Sequence, residues 1–246
     1  DLKGKVDLYG GILIDEFSLP EDSELFSIVL QASIDVWKSE ERRGLWLKLP
    51  IPSHAGLLPE ALKNDFTLHH CTESYLMLTR WLPSTPNTLP LYTSHFVGVG
   101  GFVVNDKRQI LVIQEKNGPA VGRWKVPGGM VDPKEDIPDA AVREVLEETG
   151  IPCQFQSIVS FRQHHRAQFG KSDLYFICFL KPEHCNITIQ ESEIAAAKWM
   201  DLDEFVEMPY LKGGVYGRLL DAGRDFADGK YTGIIAESLP VIFREG

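Results

Sequence analysis

The chain has 246 residues, 43 % of them hydrophobic and 24 % charged, the balance of a folded globular protein with ample core. Its formal net charge is −10 with no basic stripe to offset it, which argues against a nucleic-acid polymer as partner. No apolar run reaches the length of a membrane span. The four cysteines (Cys71, Cys153, Cys178 and Cys185) lack paired spacing and read as reduced thiols.

Taken in order, residues 7 to 17 read as a strand around the apolar run from Tyr9 to Asp15. From Glu21 to Glu40, Leu25, Phe26, Ile28, Val29, Ala32, Val36 and Trp37 recur at helical spacing behind acidic first-turn residues. Residues 44–50 form a second strand, 54–63 a shorter helix, and 67–82 two strands joined near Glu73. This β-α-β-α-β-β pattern is a small layered fold able to bury its own core. His69 and His70 fall in a strand without an acidic or cysteine partner at ligand spacing, so they read as packing or surface groups.

Pro83, Pro86 and Pro90, with small polar residues between them, read as a semi-rigid linker. The expected division is an N-terminal α/β domain over 1–85, a proline-rich linker over 86–93 and a second domain over 94–246. Beyond the linker, 97–104 and 109–115 are strand-like and meet around Asn105 and Asp106. A third short strand is expected over 123–129. Strands follow over 154–162 and 173–180, separated by a polar segment, and another over 195–200. A helical turn at 201–207 and an amphipathic helix over 215–226 close the pattern.

Between these strands lies the most informative stretch, from Gly129 to Ile151. A Gly-rich turn leads into a helix that Asp136 can cap, with Pro138 in its first turn and Gly150 and Pro152 at its end. At about 100° per residue, Glu144, Glu147 and Glu148 share one face, while Ala141, Val142, Val145 and Leu146 fill the other. Carboxylates at i, i+3 and i+4 repel one another, and Arg143 alone cannot neutralise three. Crowded oxygen-only ligands suit a hard cation such as Mg²⁺ or Mn²⁺.

The full pattern is Gly129, Glu135, Arg143, Glu144, Val145, Glu147, Glu148, Gly150 and Ile151. Its single-identity positions match by chance about once in 10⁸ to 10⁹ windows at average residue usage. It resembles the signature of the Nudix hydrolases. The segments 46–50, 161–163, 171–173 and 197–200 are similar to the subgroup with an extra N-terminal domain. That subgroup holds plant enzymes of the ADP-ribose and NADH type and the animal protein encoded antisense to fibroblast growth factor 2.

The resemblance implies an α/β/α sandwich with a mixed sheet, preceded by a smaller α/β domain. It also implies a Mg²⁺- or Mn²⁺-dependent diphosphatase for a nucleoside diphosphate linked to another group, with ADP-ribose or NADH favoured and AMP released. The alternatives are another diphosphate (a dinucleoside polyphosphate, CoA or a diphosphoinositol phosphate) and a weakly active regulatory binding protein. By carry-over, Glu144, Glu147 and Glu148 hold metal together with the carbonyl near Gly129, and Glu135 pairs with Arg143 to orient them.

The box glutamates being committed to metal, a proton acceptor is expected from outside it. Glu193 is the candidate for both that role and a further metal contact, and Glu191 is its rival. Arg162, Gln163, His164 and Lys171, with His165 and Arg166, form a basic segment that either meets a terminal phosphate or ribose or is a solvent loop. The array that marks NADH-preferring relatives is absent. Ala167 stands where ADP-ribose relatives often carry a proline. A small nucleotide diphosphate is the expected partner, the first domain is expected either to pack against the second or to form a homodimer contact, and no membrane or nucleic-acid polymer is expected. The expected location is cytoplasmic, with an organelle as the alternative because the chain opens at Asp1 without a Met.

Overall fold

The computed structural model describes residues 1–118, 120–165, 168–212 and 214–234. Arg166, Ala167 and the tail beyond residue 234 lie outside the described residues. The chain divides into two compact units, Asp1–Thr93 and Ser94–Gly246.

In the first unit the apolar run near the start is not one strand. Asp7 accepts the N–H groups of both Tyr9 (2.8 Å) and Gly11 (2.7 Å), and Gly10 takes a φ of 77°. The chain therefore reverses, giving β1 (Gly4–Val6) and β2 (Ile12–Ile14) as an antiparallel pair. Helix α1 (Ser23–Ser39) follows, capped by Asp22, whose carboxylate accepts Leu25 N–H at 2.7 Å. Next come β3 (Gly44–Pro50), α2 (Leu58–Lys63), β4 (Thr67–Cys71) and β5 (Tyr75–Trp81).

The sheet order is β1-β2-β3-β5-β4, with β2 and β3 parallel and the other pairs antiparallel. Phe26, Leu30, Ile34 and Trp37 of α1 pack with Leu57 and Ala61 on Ile12, Ile14, Leu45, Leu47, Leu49 and Leu78 of the sheet. Each such burial stabilises by about 1.5–3 kcal/mol for a large side chain. Side chains alternate along a strand, so Trp46, Lys48, Met77, Thr79 and Trp81 fall on the face away from the helices. The proline-rich residues 86–93 fall within the first of the two compact units.

The second unit contains β6 (His95–Val103), β7 (Gln109–Glu115), α3 (Ile137–Thr149), β8 (Cys153–His164), β9 (Ser172–Pro182), β10 (Ile194–Asp201), α4 (Leu202–Val206) and α5 (Val215–Ala227). Strand β9 is central, parallel to β6 and antiparallel to β8, while β7 pairs antiparallel with β10. On one face α3 lays Ala140, Ala141 and Val145 against Val99, Val103, Ile158, Cys178 and Leu180. On the other, Leu219 and Leu220 of α5 cover Phe102, Val159 and Ile177. This is the α/β/α sandwich with a mixed sheet that the sequence implies.

Residues 123–129 make no strand. They meet β7 through the bridge Ile113↔Lys125 and β6 through Gly101 N–H on the Pro127 carbonyl and Val99 N–H on the Gly129 carbonyl, and the turn at Gly128 towards α3 keeps them from forming a continuous strand. No described helix is long and apolar enough to cross a membrane.

Candidate active site

Asp136 occupies the N-cap of α3 with extended backbone, and Gly150 ends the helix in the left-handed region at φ 69°. The helix faces differ from a plain two-sided pattern. Leu146 is exposed at 46 %, whereas Glu148 is only 6 % exposed, one turn beyond buried Val145. The inner face of α3 thus carries a carboxylate into the core.

Glu148 has one backbone partner, the N–H of Gly128, at 2.7 Å. Gly128 has φ 151°, and a Cβ there would stand 2.1 Å from the Val99 carbonyl oxygen. Only glycine lets the turn come this close to β6. Burial pushes the Glu148 carboxyl up to about 7, against the lowering effect of the Gly128 N–H and the Lys125 ammonium. Burial also raises Glu144, although Arg143 beside it pulls the other way.

Arg143 spends all five of its N–H donors. Nε and Nη2 take the two oxygens of Glu135 at 2.7 and 2.8 Å, Nη1 takes Glu144 (2.9 Å) and Glu147 (3.1 Å), and Nη2 also reaches the Met130 carbonyl (3.0 Å). Its hydrogen bonds hold Glu135 below the usual carboxylate range, and Asp132 N–H adds to this at 2.9 Å. The Gly129 carbonyl accepts Val99 N–H at 2.9 Å, which leaves it one lone pair. Among the described residues no three His, Cys, Asp or Glu side chains stand together as a ready cation cluster. Glu144 and Glu147 turn to Arg143, and Glu148 turns to Gly128.

Glu193 comes from the turn before β10. That turn is tied to α3 through Gln190 N–H on the Glu148 carbonyl (3.2 Å), and Glu193 is tied to β7 through Lys116 N–H on its own carbonyl (2.8 Å). A cavity of about 370 Å³ is lined by Glu115, Asn117, Gly118, Glu148, Glu193 and Ile194. The rival, Glu191, offers its carbonyl to the Lys116 ammonium and does not line this cavity.

A second cavity of about 460 Å³ shares Glu115 and adds Phe96, Gly98, Lys125, Gly128, Gly129, Met130, Arg162, Asp173 and Tyr175. Lys125 pairs with Glu115, and Arg162 pairs with Asp173 at 2.8 Å. The Arg162 guanidinium lies over the Tyr175 ring, 5.3 Å from its centre, and its Nη1 is buried without a hydrogen-bond partner. Of the described residues of the basic segment only Arg162 lines this cavity. Gln163 contacts His95 Nε2 at 2.6 Å, and His164 is exposed opposite Asp173. Lys171 is half-buried and lines neither cavity.

Glu115, Lys125, Asp173, Tyr175 and Phe96 escaped the sequence reading. The one available signal was that Lys125 and Glu115 are charged residues next to apolar runs that lead into the turn.

A family model described as NUDIX domain matches residues 94–220, and one described as Nudix hydrolase domain matches residues 2–82. Nudix hydrolase 2 of Arabidopsis thaliana is 46 % identical over 208 residues, covering 84 % of this chain and 74 % of the relative. Nudix hydrolase 8 of the same plant is 42 % identical over 241 residues, covering 96 % of this chain and 65 % of the relative. Nucleoside diphosphate-linked moiety X motif 6 of Homo sapiens is 42 % identical over 214 residues, covering 84 % of this chain and 67 % of the relative. Plant and animal relatives are thus those of the subgroup that the residues outside the box resemble. With the box complete and a family model matching more than half of its length, the chain belongs to the Nudix hydrolase family.

Proposed function

We propose that this Nudix hydrolase cleaves a nucleoside diphosphate linked to a second group, with ADP-ribose or NADH as its best substrates and AMP as a product, using Mg²⁺ or Mn²⁺. One observation carries this reading. An acidic cavity (Glu115, Glu148, Glu193) shares a wall with one that holds two cations and two aromatic rings (Lys125, Arg162, Phe96, Tyr175). A molecule in which a bridging diphosphate joins a flat, polar group to a second group matches that division.

The residues fit a divalent cation by donor chemistry. The candidate donors are all oxygens, and burial raises both Glu144 and Glu148 against the pull of Arg143 and Lys125, so a bound ion would offset the solvation these carboxylates have lost. Glu144, Glu147 and Glu148, with the Gly129 carbonyl and Glu193, would hold it. When bound, such an ion neutralises diphosphate oxygens and lowers the pKa of a water molecule. Glu193 takes the proton of the attacking water on a carboxylate oxygen. Arg143 positions the helix face through its five hydrogen bonds. Arg162 offers its unpaired Nη1 to a phosphate or ribose oxygen and its plane to a base. We assign no substrate contact to Gln163, His164 or Lys171.

A panel of ADP-ribose, NADH, nucleoside triphosphates, a dinucleoside polyphosphate, CoA and a diphosphoinositol phosphate, each with Mg²⁺ or Mn²⁺, tests the reading. kcat/KM is expected to be higher for ADP-ribose or NADH than for the triphosphates. Cleavage of another diphosphate, with neither of these two cleaved, would give the role to that substrate.

A further inference from the structure

The first unit carries a cavity of about 570 Å³ that no part of the box chemistry uses. It begins with the sheet. Helices α1 and α2 cover one face, and Trp46 and Trp81 project on the other. The segment after β5 returns across these indoles and is pinned at several points. Trp81 Nε1–H donates to the Thr85 carbonyl at 2.8 Å. Leu89 seats where Gly44 has no side chain, since a Cβ there would lie 2.4 Å from Leu89 Cδ2. His69 Nε2 meets the Pro90 carbonyl at 2.9 Å, and the His70 ring stacks on Tyr92 with centres 5.0 Å apart and planes 9° apart.

Proton accounting makes this a consistent clasp. Because a carbonyl only accepts, His69 carries its proton on Nε2. Its Nδ1 then accepts from His70 Nδ1–H (2.6 Å), and His70 Nε2 accepts from the Tyr75 hydroxyl (3.2 Å). The proline-rich stretch is a fixed wall of a cavity, and the two histidines fasten it.

The lining chemistry selects a ligand class. Two indole faces stack flat rings. The Arg43 guanidinium lies over the Trp81 ring at 5.0 Å. Among the described residues its guanidinium makes only long hydrogen bonds, 3.5 Å to the Tyr9 carbonyl and 3.3 Å to the Thr88 hydroxyl. No carboxylate among the described residues forms a salt bridge with Arg43. A guanidinium with unspent donors beside aromatic walls suits a planar ring that carries an anionic oxygen group. The volume is within the range of small-molecule sites.

We propose that this cavity binds a nucleoside monophosphate, the base against Trp46 and Trp81 and the phosphate on Arg43. The choice of AMP as probe rests on the proposed reaction, of which AMP would be a product; the site itself does not.

The test is titration of the full chain with AMP in EDTA, followed by calorimetry and tryptophan fluorescence, which reads binding whether or not any substrate is cleaved. Saturable binding with quenched fluorescence is expected, weakened about tenfold or more by Arg43→Ala and by Trp46→Leu. Adenosine, lacking the phosphate, should also bind about tenfold more weakly. Arg162→Ala should leave the Arg43-dependent binding in place, since it removes only contacts in the cavity of the second unit. Arg43→Lys, which keeps the charge but not the fork, serves where Arg43→Ala does not fold, and should weaken binding by a smaller factor. No saturable binding at millimolar AMP overturns the proposal. So does binding that Arg162→Ala abolishes and the Arg43 variants leave intact, which would put the nucleotide in the second unit.

Discussion

Two cavities of the second unit meet at Glu115 and differ in how their charge is settled. On one side Glu115, Glu148 and Glu193 line the space and no cation does. On the other each acid has its base, Glu115 with Lys125 and Asp173 with Arg162, and an aromatic floor lies beneath. A folded chain tolerates the first arrangement at a cost, because burial strips solvent from the Glu148 carboxylate and drives its protonation, with the neighbouring acids adding to the effect. The second arrangement stabilises the fold without help. What this teaches is where outside charge is wanted: a positive ion on the acidic side, and an anionic or polar group at the one buried Arg162 donor left without a partner.

The most severe way to break the comparison is to remove a carboxylate from the acidic side. We expect Glu193→Gln to lower kcat by roughly 10²–10⁴-fold, the span of a lost general base, while the melting temperature barely moves because the side chain is exposed. Retention of more than half of the wild-type kcat would hand the role to Glu191 or to a box glutamate.

On the balanced side the expected loss is smaller. Arg162→Ala should lower kcat/KM by about 10–100-fold, the equivalent of one or two charge-assisted hydrogen bonds, mainly through KM. A fall confined to kcat would contradict a binding role.

Smallest is a pH effect on the metal-free protein. Glu148 titrates at about 7 in the fold against 4.5 for an ordinary carboxyl. Between those values the native state keeps a proton that the unfolded chain has released, so stability falls as pH rises from 4.5 to 7 and then levels off. The melting temperature in EDTA should therefore drop across this window, Glu148→Gln should flatten the drop, and millimolar Mg²⁺ should offset it at pH 8. A wild-type profile that rises or stays level through the window would contradict an uncompensated Glu148.

Much of this was legible beforehand wherever local rules dominate. The box helix, β3 and β7 follow from caps, glycines and periodicity, and their ends fall close to where residue chemistry puts them. The start of the chain reads as one strand because Tyr9 to Ile14 carries no charged side chain, and it is the Asp7 side chain accepting two backbone N–H groups that makes the turn. Leu146 and Glu148 broke the two-face reading because the turn at Gly128 brings a backbone donor to the inner side of α3, which lets an acid be buried there. Lys125 and Glu115 were invisible for a different reason. They meet through the bridge Ile113↔Lys125 and the pairing of β7 with β10, both contacts between distant stretches. The proline-rich stretch has a linker's composition, yet its partners Gly44, His69 and His70 lie well upstream in sequence.

The parallel pairing of β6 with β9 has a kinetic side. His95 to Val103 aligns with Ser172 to Leu180, so the whole box, its helix and β8 lie inside the loop that this pairing closes. Closing so long a loop costs entropy before any contact repays it, which makes such sheets slow to form. Glu148 reaches its Gly128 partner only once the turn is seated on β6 through Val99 and Gly101. The acidic cavity therefore assembles with the central sheet and not ahead of it.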